Sequence, residues 1–175
     1  MLLINMDPIR HILIILMIAT LMVLSGTRAS IYENEVTLYT DIVSRSPNKA
    51  RCRNNLGDAL KNAGRFEEAG YHFEQALELS PNYPDALNNL ATIYDKFGRK
   101  EDALLLLSQA LLIDPDHLQA RSNLAITFYE QGMLSEASRQ YMIILDQAPN
   151  SKQGIFARQM LSLIQRKVAP KGKLQ

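Results

Sequence analysis

The stretch NNLGDALKNAGRFEEAGYHFEQALELSPN, beginning at Asn54, is nearly written out again as NNLATIYDKFGRKEDALLLLSQALLIDPD, beginning at Asn88. The offset from Asn54 to Asn88, applied along the chain, aligns Leu56, Leu90 and Leu124, then Gly57, Ala91 and Ala125, then Gly64, Gly98 and Gly132. It continues through Ala69, Ala103 and Ala137, through the large apolar set Phe73, Leu107 and Tyr141, and through Pro81, Pro115 and Pro149, without a gap. A chain that repeats at such a period builds a stacked surface longer than one unit could bury or display alone.

Within each unit the apolar spacing predicts two helices. Leu56 and Leu60 stand four apart on one helical face, as do Leu90 with Tyr94 and Leu124 with Phe128. The following NAGR, KFGR and EQGM segments break the pattern with a glycine suited to a helix C-terminus. Ala69, Phe73, Ala76 and Leu77 then give a second stripe at i, i+4, i+7 and i+8, ended by a proline that cannot continue a helix. Gly57 or Ala91, facing Ala69 or Ala103, lets the two backbones approach where Leu would hold them apart.

These residues resemble the tetratricopeptide repeat pattern of Leu-Gly-x-x-Tyr, then Gly, then Ala-x-x-x-Phe-x-x-Ala, then Pro. The resemblance covers residues 50–83, 84–117 and 118–151 and implies an all-α solenoid of stacked antiparallel helix pairs. Arg53, Leu87 and Arg121 depart from it where many members have Trp, and Ile144 replaces the last small residue of the third unit, which implies looser or shifted packing there. Upstream, Tyr39, Ile42 and Pro47 occupy the places of Phe73, Ala76 and Pro81, so 31–49 reads as the second half of a repeat, with Glu35 facing water where the packed Ala would be. Downstream, Ile155, Met160, Leu163 and Ile164 predict a capping helix over 152–168, and 169–175 reads as a disordered tail.

The N-terminal segment 1–30 differs in kind. After Arg10 and His11 comes an uncharged apolar run from Ile12 to Thr27. It is short beside the ~20 residues of a membrane span but matches the core of a signal peptide, and Thr27 and Ala29 offer small residues to a signal peptidase. Leu2, Leu3, Ile4 and Ile9 could instead extend it into a transmembrane anchor, so a retained anchor and a cleaved signal both stand. Either places the repeats outside the cytoplasm, on the periplasmic side. The junction from Glu33 to Arg51 also resembles the passage into a tetratricopeptide tail in multi-spanning membrane proteins related to O-mannosyl glycosyltransferases. With at most one span here, no transferase activity carries over from that resemblance.

Nothing in the sequence assembles a catalytic apparatus. A formal charge of +1 gives no field for nucleic acid, and the single Cys52 excludes an intrachain disulfide. His11, His72 and His117 share no metal-ligand spacing, and His72 reads as a helix-surface residue. Asp114 and Asp116 flank Pro115 in an inter-repeat turn, and Glu67 and Glu68 complement a helix N-terminus. No metal and no cofactor is implied.

What the repeats could hold is a polypeptide. In the resembled family the first helices line the concave side, and there Asn55, Asn89 and Asn123 stand one repeat apart, preceded by Asn54, Asn88 and Ser122. Asparagine is unfavourable inside helices, and its amide donates and accepts like a peptide bond. The row resembles the asparagine ladder in the superhelix of O-linked N-acetylglucosamine transferase, and Asp58 and Thr92 complete the candidate groove. The carboxylate clamp of chaperone-binding members is not met: Asn54, Asp58, Gln119 and Asn123 stand where Lys, Asn, Lys and Arg are needed, and only Asn89 matches. The expected function is protein–protein interaction, as a membrane-associated adaptor or assembly factor, with no enzymatic activity. The alternative is a detached tail or accessory subunit of a glycosyltransferase-like membrane enzyme.

Overall fold

The computed structural model of the chain describes residues 35–168, together with Ile14 and Met17. The expected anchor or signal and the tail after Val168 thus lie outside the described residues, those two positions apart. Among the described residues no helix is long and apolar enough to cross a membrane.

Eight helices and no strand make up residues 35–168: α1 (Glu35–Arg45), α2 (Ala50–Asn62), α3 (Phe66–Leu79), α4 (Pro84–Lys96), α5 (Lys100–Ile113), α6 (Leu118–Glu130), α7 (Leu134–Gln147) and α8 (Lys152–Val168). The period is visible in the coordinates. Helices α2, α4, α6 and α8 begin one sequence period apart, at Ala50, Pro84, Leu118 and Lys152. Helices α1, α3, α5 and α7 end at the same interval, at Arg45, Leu79, Ile113 and Gln147. The stack is therefore half a unit, three whole units and a closing first helix.

Each turn inside a unit is set by one glycine. Gly64, Gly98 and Gly132 have φ of 79°, 75° and 78°, the left-handed region that a side chain disfavours. The residue after each glycine donates its N–H across the turn, Arg65 to Leu60 O at 2.9 Å, Arg99 to Tyr94 O at 2.8 Å and Met133 to Phe128 O at 2.9 Å. The glycine N–H bonds the next carbonyl along, Lys61, Asp95 and Tyr129 respectively. That double closure is the Schellman motif, which satisfies carbonyls the helix end leaves open.

No unit holds a core of its own. The first cluster joins Val36 of α1 to Leu56, Leu60, Ala69 and Phe73 and then to Leu90 and Ile93 of the next unit. The second joins Leu87, Ala91, Ala103 and Leu107 to Ala120 and Leu124, and the third joins Ala125, Ala137, Tyr141 and Ile144 to Ala157 and Ile164 of α8. Ile144 is fully buried, so the third unit absorbs the larger side chain without exposing it. Leu87 is buried, while Arg53 Nε donates to Pro47 O at 2.9 Å and Arg121 donates to Pro115 O, each tying a helix to the preceding turn. Glu35 is exposed, as expected of the outer end.

Helix α8 requires a correction. Its inward stripe is Gly154, Ala157, Met160, Leu161 and Ile164, whereas Ile155 and Leu163 are exposed by 49% and 45%. The reason is register: Gly154 stands one period after Ala120, so α8 presents the face that every first helix presents. A Cβ at Gly154 would come within 2.2 Å of Ala148 O, which fixes the tight entry of this helix.

The seam between α2 and α3 is the tight one. A Cβ at Gly57 would lie 2.6 Å from Phe73 Cε1, and the ring it would meet is fully buried. The second unit pairs Ala91 with Leu107 at the same places, a smaller partner for a larger helix residue. Gly57→Ala should therefore cost about 1–3 kcal/mol of overpacking against a gain of ~1 kcal/mol in helix propensity. The expected net loss lowers the melting temperature by roughly 2–4 °C. Adding Phe73→Leu, the partner used in the second unit, should make the double variant more stable than the sum of the single losses. Strictly additive losses in circular-dichroism melts would show that the two side chains do not collide.

Candidate functional site

Successive first helices α2, α4, α6 and α8 touch one another along the stack, while the second helices touch chiefly first helices. The first helices therefore lie on the inside of the curve, and their free side chains face a shared concavity.

The asparagine row lies on these helices and splits into two layers. Asn54, Asn88 and Ser122 are 6%, 5% and 5% exposed, which corrects the expectation that they line an open groove. They are buried because each stands where the next unit closes over it. Asn89 Nδ2 donates to Asn54 Oδ1 at 3.1 Å, and Asn123 Nδ2 donates to Asn88 Oδ1 at 2.8 Å. Each bond crosses a unit boundary. Asn89 and Asn123 are half-buried, and Asn55, also half-buried, makes no side-chain hydrogen bond among the described residues. Ser122 has Ala157 where the donor amide of another unit would stand, so the pairing ends there.

Other side chains extend the amide row. Lys61 Nζ donates to Asn89 Oδ1 at 3.4 Å and pairs with Asp58 at 2.7 Å, so Asp58 does not stand alone in the groove. Gln119 Nε2 donates to Asn123 Oδ1 at 3.2 Å, and Gln153 Nε2 to Gln119 Oε1 at 3.3 Å. Thr92 is exposed and turns its hydroxyl back to Asn88 O at 2.8 Å, as Thr127 does to Asn123 O at 3.1 Å.

Between the second and third units the concavity deepens into a pocket of about 170 Å³, lined by Thr92, Asp95, Asn123 and Thr127 among others. Asp95 is the group that sequence reasoning missed. Its Oδ1 is buried without a hydrogen-bond partner. Burial, seconded by the nearby Glu130 carboxylate, holds its carboxyl above the ordinary range, against the pull of Lys100. Lys100 is itself paired with Glu130. The available signal was the repeat position occupied in turn by Lys61, Asp95 and Tyr129, which changes charge from unit to unit.

Comparison with known proteins gives a consistent picture. Two family models described as tetratricopeptide repeat match residues 50–116 and 98–154, spanning the three units between them. The chain is similar to the crystal structure of MamA, with a TM-score of 0.67 at 18% identity over 75% of each chain. It is similar to the first tetratricopeptide domain of Spaghetti (RPAP3) bound to the HSP90 peptide SRMEEVD, with a TM-score of 0.64 at 21% identity over 69% of this chain and 94% of that one. It is also similar to the second such domain of human RPAP3 in complex with the HSP70 peptide SGPTIEEVD, with a TM-score of 0.58 at 24% identity over 65% and 92%. No curated protein sequence matches.

The raised Asp95 carboxyl has a consequence for stability. Its folded value lies above the unfolded one, near 3.9, so the group destabilises the fold as pH rises from the unfolded value through the folded one. Asp95→Asn removes that charge. The variant should melt higher than the wild type at neutral pH, and the difference should close as pH falls below about 4, where Asp95 is neutral in both states. A difference that persists unchanged at acidic pH would place its origin outside the ionisation.

Proposed function

We propose, from the premise that the chain belongs to the tetratricopeptide repeat family, that its concave face holds an extended polypeptide segment and that the protein is a non-catalytic adaptor or assembly factor. The amide row carries this reading. Asn89 and Asn123 each spend one N–H on a neighbouring unit, and an amide keeps a second donor and spare acceptor capacity for a ligand backbone. Asn55 keeps its full complement. Such contacts read main chain and not side chains, so selectivity falls to the residues that differ between units, Asp95 above all.

The peptides in the two RPAP3 structures end in Glu-Glu-Val-Asp. The groove here offers Lys61 already paired with Asp58, together with the Asp95 carboxylate, so it suits a segment without a cluster of acidic groups.

The two amide layers separate binding from stability. Asn89→Ala strands the buried Asn54 Oδ1 and should cost about 1–3 kcal/mol of stability. Asn55→Ala removes no internal bond, so melting should be unchanged or slightly raised, since Ala is the better helix former. Recovery of a partner crosslinked to the wild type in membranes should fall about five- to ten-fold for Asn55→Ala, the loss of one net hydrogen bond near 1 kcal/mol. Undiminished capture by Asn55→Ala would remove the amide row from the binding surface.

The apolar run Ile12–Thr27 supports a membrane-anchored or exported protein with its repeats on the extracytoplasmic side. Fractionation should return the chain with membranes, or trimmed near Ala29 in an exported fraction. A stable cytoplasmic product that retains Met1–Ala29 would refute it.

A further inference from the structure

The concave pocket between the second and third units is rich in acceptors and short of donors. Thr92 spends its hydroxyl proton on Asn88 O and Thr127 spends its own on Asn123 O, so each oxygen has only lone pairs left to offer. Asn123 gives one amide N–H to Asn88 Oδ1 and accepts from Gln119 at its own Oδ1. Asp95 adds a carboxylate, and Ala91, Leu107 and Ile126 add no polar side-chain atom. Among the side chains that line the pocket, the second N–H of Asn123 is thus the one donor left over.

The carboxylate in this pocket is poorly compensated. Asp95 Oδ1 is shut away from water without a donor, which leaves Oδ2 to carry the solvation of the charge. Lys100 is drawn off to Glu130, so one ammonium stands among two carboxylates and the surroundings stay negative. Stacking does not require this, since Lys61 and Tyr129 fill the same place in the other units. Ala91, Leu107 and Thr127, only 1%, 1% and 2% exposed, form a closed floor, whereas Thr92 is exposed and Asp95, Asn123 and Ile126 are half-buried, so these four form the mouth that a ligand can touch.

We propose that this pocket receives a lysine side chain of the partner segment, an inference that rests on the concave face holding that segment by its main chain. An ammonium is a compact cation with three N–H donors and no acceptor, the complement of the Asp95 carboxylate, Thr92 Oγ1 and Asn123 Oδ1 at the mouth. Its aliphatic stem can lie along Ile126 and the Thr92 methyl. Asn123 belongs both to the amide row and to the pocket wall, so a side chain leaving a backbone held at the row enters here. The row reads main chain, and the pocket adds one choice of side chain, because a neutral or acidic one would leave the carboxylate uncompensated.

The test uses the full-length chain in detergent micelles and two end-capped Gly-Ser peptides, identical but for a central lysine in one and norleucine in the other, titrated by calorimetry. The lysine peptide should bind about ten-fold more tightly, the worth of a hydrogen bond to a charged group. Asp95→Asn should bind the two peptides equally, and Asn55→Ala should weaken both while keeping their ratio. Equal binding of the two peptides by the wild type, or a lysine preference that survives Asp95→Asn, would overturn the lysine site and leave the main-chain reading standing wherever Asn55→Ala weakens both. A lysine preference lost in Asp95→Asn, with Asn55→Ala without effect, would uphold the site and remove the amide row. Binding of neither peptide would overturn both. Lys171 and Lys173 follow Val168 in the chain. If the wild type shows no preference and the double variant Lys171→Ala, Lys173→Ala gains one, the pocket serves the chain's own lysine and the partner site is refuted.

Discussion

The close contact between the first and second helix of a unit governs the rest of the stack. At Gly57 there is no room for a Cβ beside the Phe73 ring, and the same place is Ala91 against Leu107 and Ala125 against Tyr141. Small residues on one helix bring the backbones near enough for a large residue on the other to fill the seam, and that seam sets the separation and tilt of the pair. The tilt decides which face is left for the next unit to cover. Every core cluster crosses a unit boundary, so an error in one pair is passed to its neighbour, and a single unit cut from the stack would expose apolar side chains that its neighbours cover.

Polar side chains then register the stack that apolar ones drive together. Hydrophobic burial is non-directional and tolerates sliding, whereas a bond such as Asn123 to Asn88 at 2.8 Å tolerates little. The buried amides of Asn54 and Asn88 make misregister costly, because a slipped unit would leave each without its donor. The pairing thus fixes the spacing of the half-exposed amides on the concave side. Stability and display are set by the same bonds, and the groove inherits its period from them.

The sequence discloses the parts of this that repeat. Leucine spacing, glycine turns and prolines mark the helices because helix periodicity and backbone sterics act locally and identically in each unit. The site was only half legible. That Asn54 and Asn88 turn inward while Asn55 stays half-open depends on where the next unit lands, a matter of packing between residues far apart in the chain. The apolar side of α8 was misassigned for the same kind of reason, since Ile155 and Leu163 look inward by composition but the register inherited from Ala120 turns Gly154 and Ala157 to the core. Asp95 escaped notice because a carboxylate at a helix end is ordinary until its Oδ1 is found buried and unpaired.

Repetition also makes the exceptions informative. An apolar position occupied by equivalent residues in all three units is explained by stacking alone, so selectivity concentrates where one unit breaks rank. Tyr141 brings a buried hydroxyl without a partner into a place filled elsewhere by Phe73 and Leu107, and the burial that raises its phenol pKa makes that hydroxyl a cost which apolar packing does not require. Asp95 brings a charge between Lys61 and Tyr129, and Leu60 brings an absence where the next two units carry aromatic rings. The charge at Asp95 alters the concave pocket without disturbing the seam, since positions 57 and 73 and their counterparts remain small against large in every unit. A solenoid separates these two kinds of position by construction: one set holds the shape constant, and the other is free to differ and so to discriminate among partners.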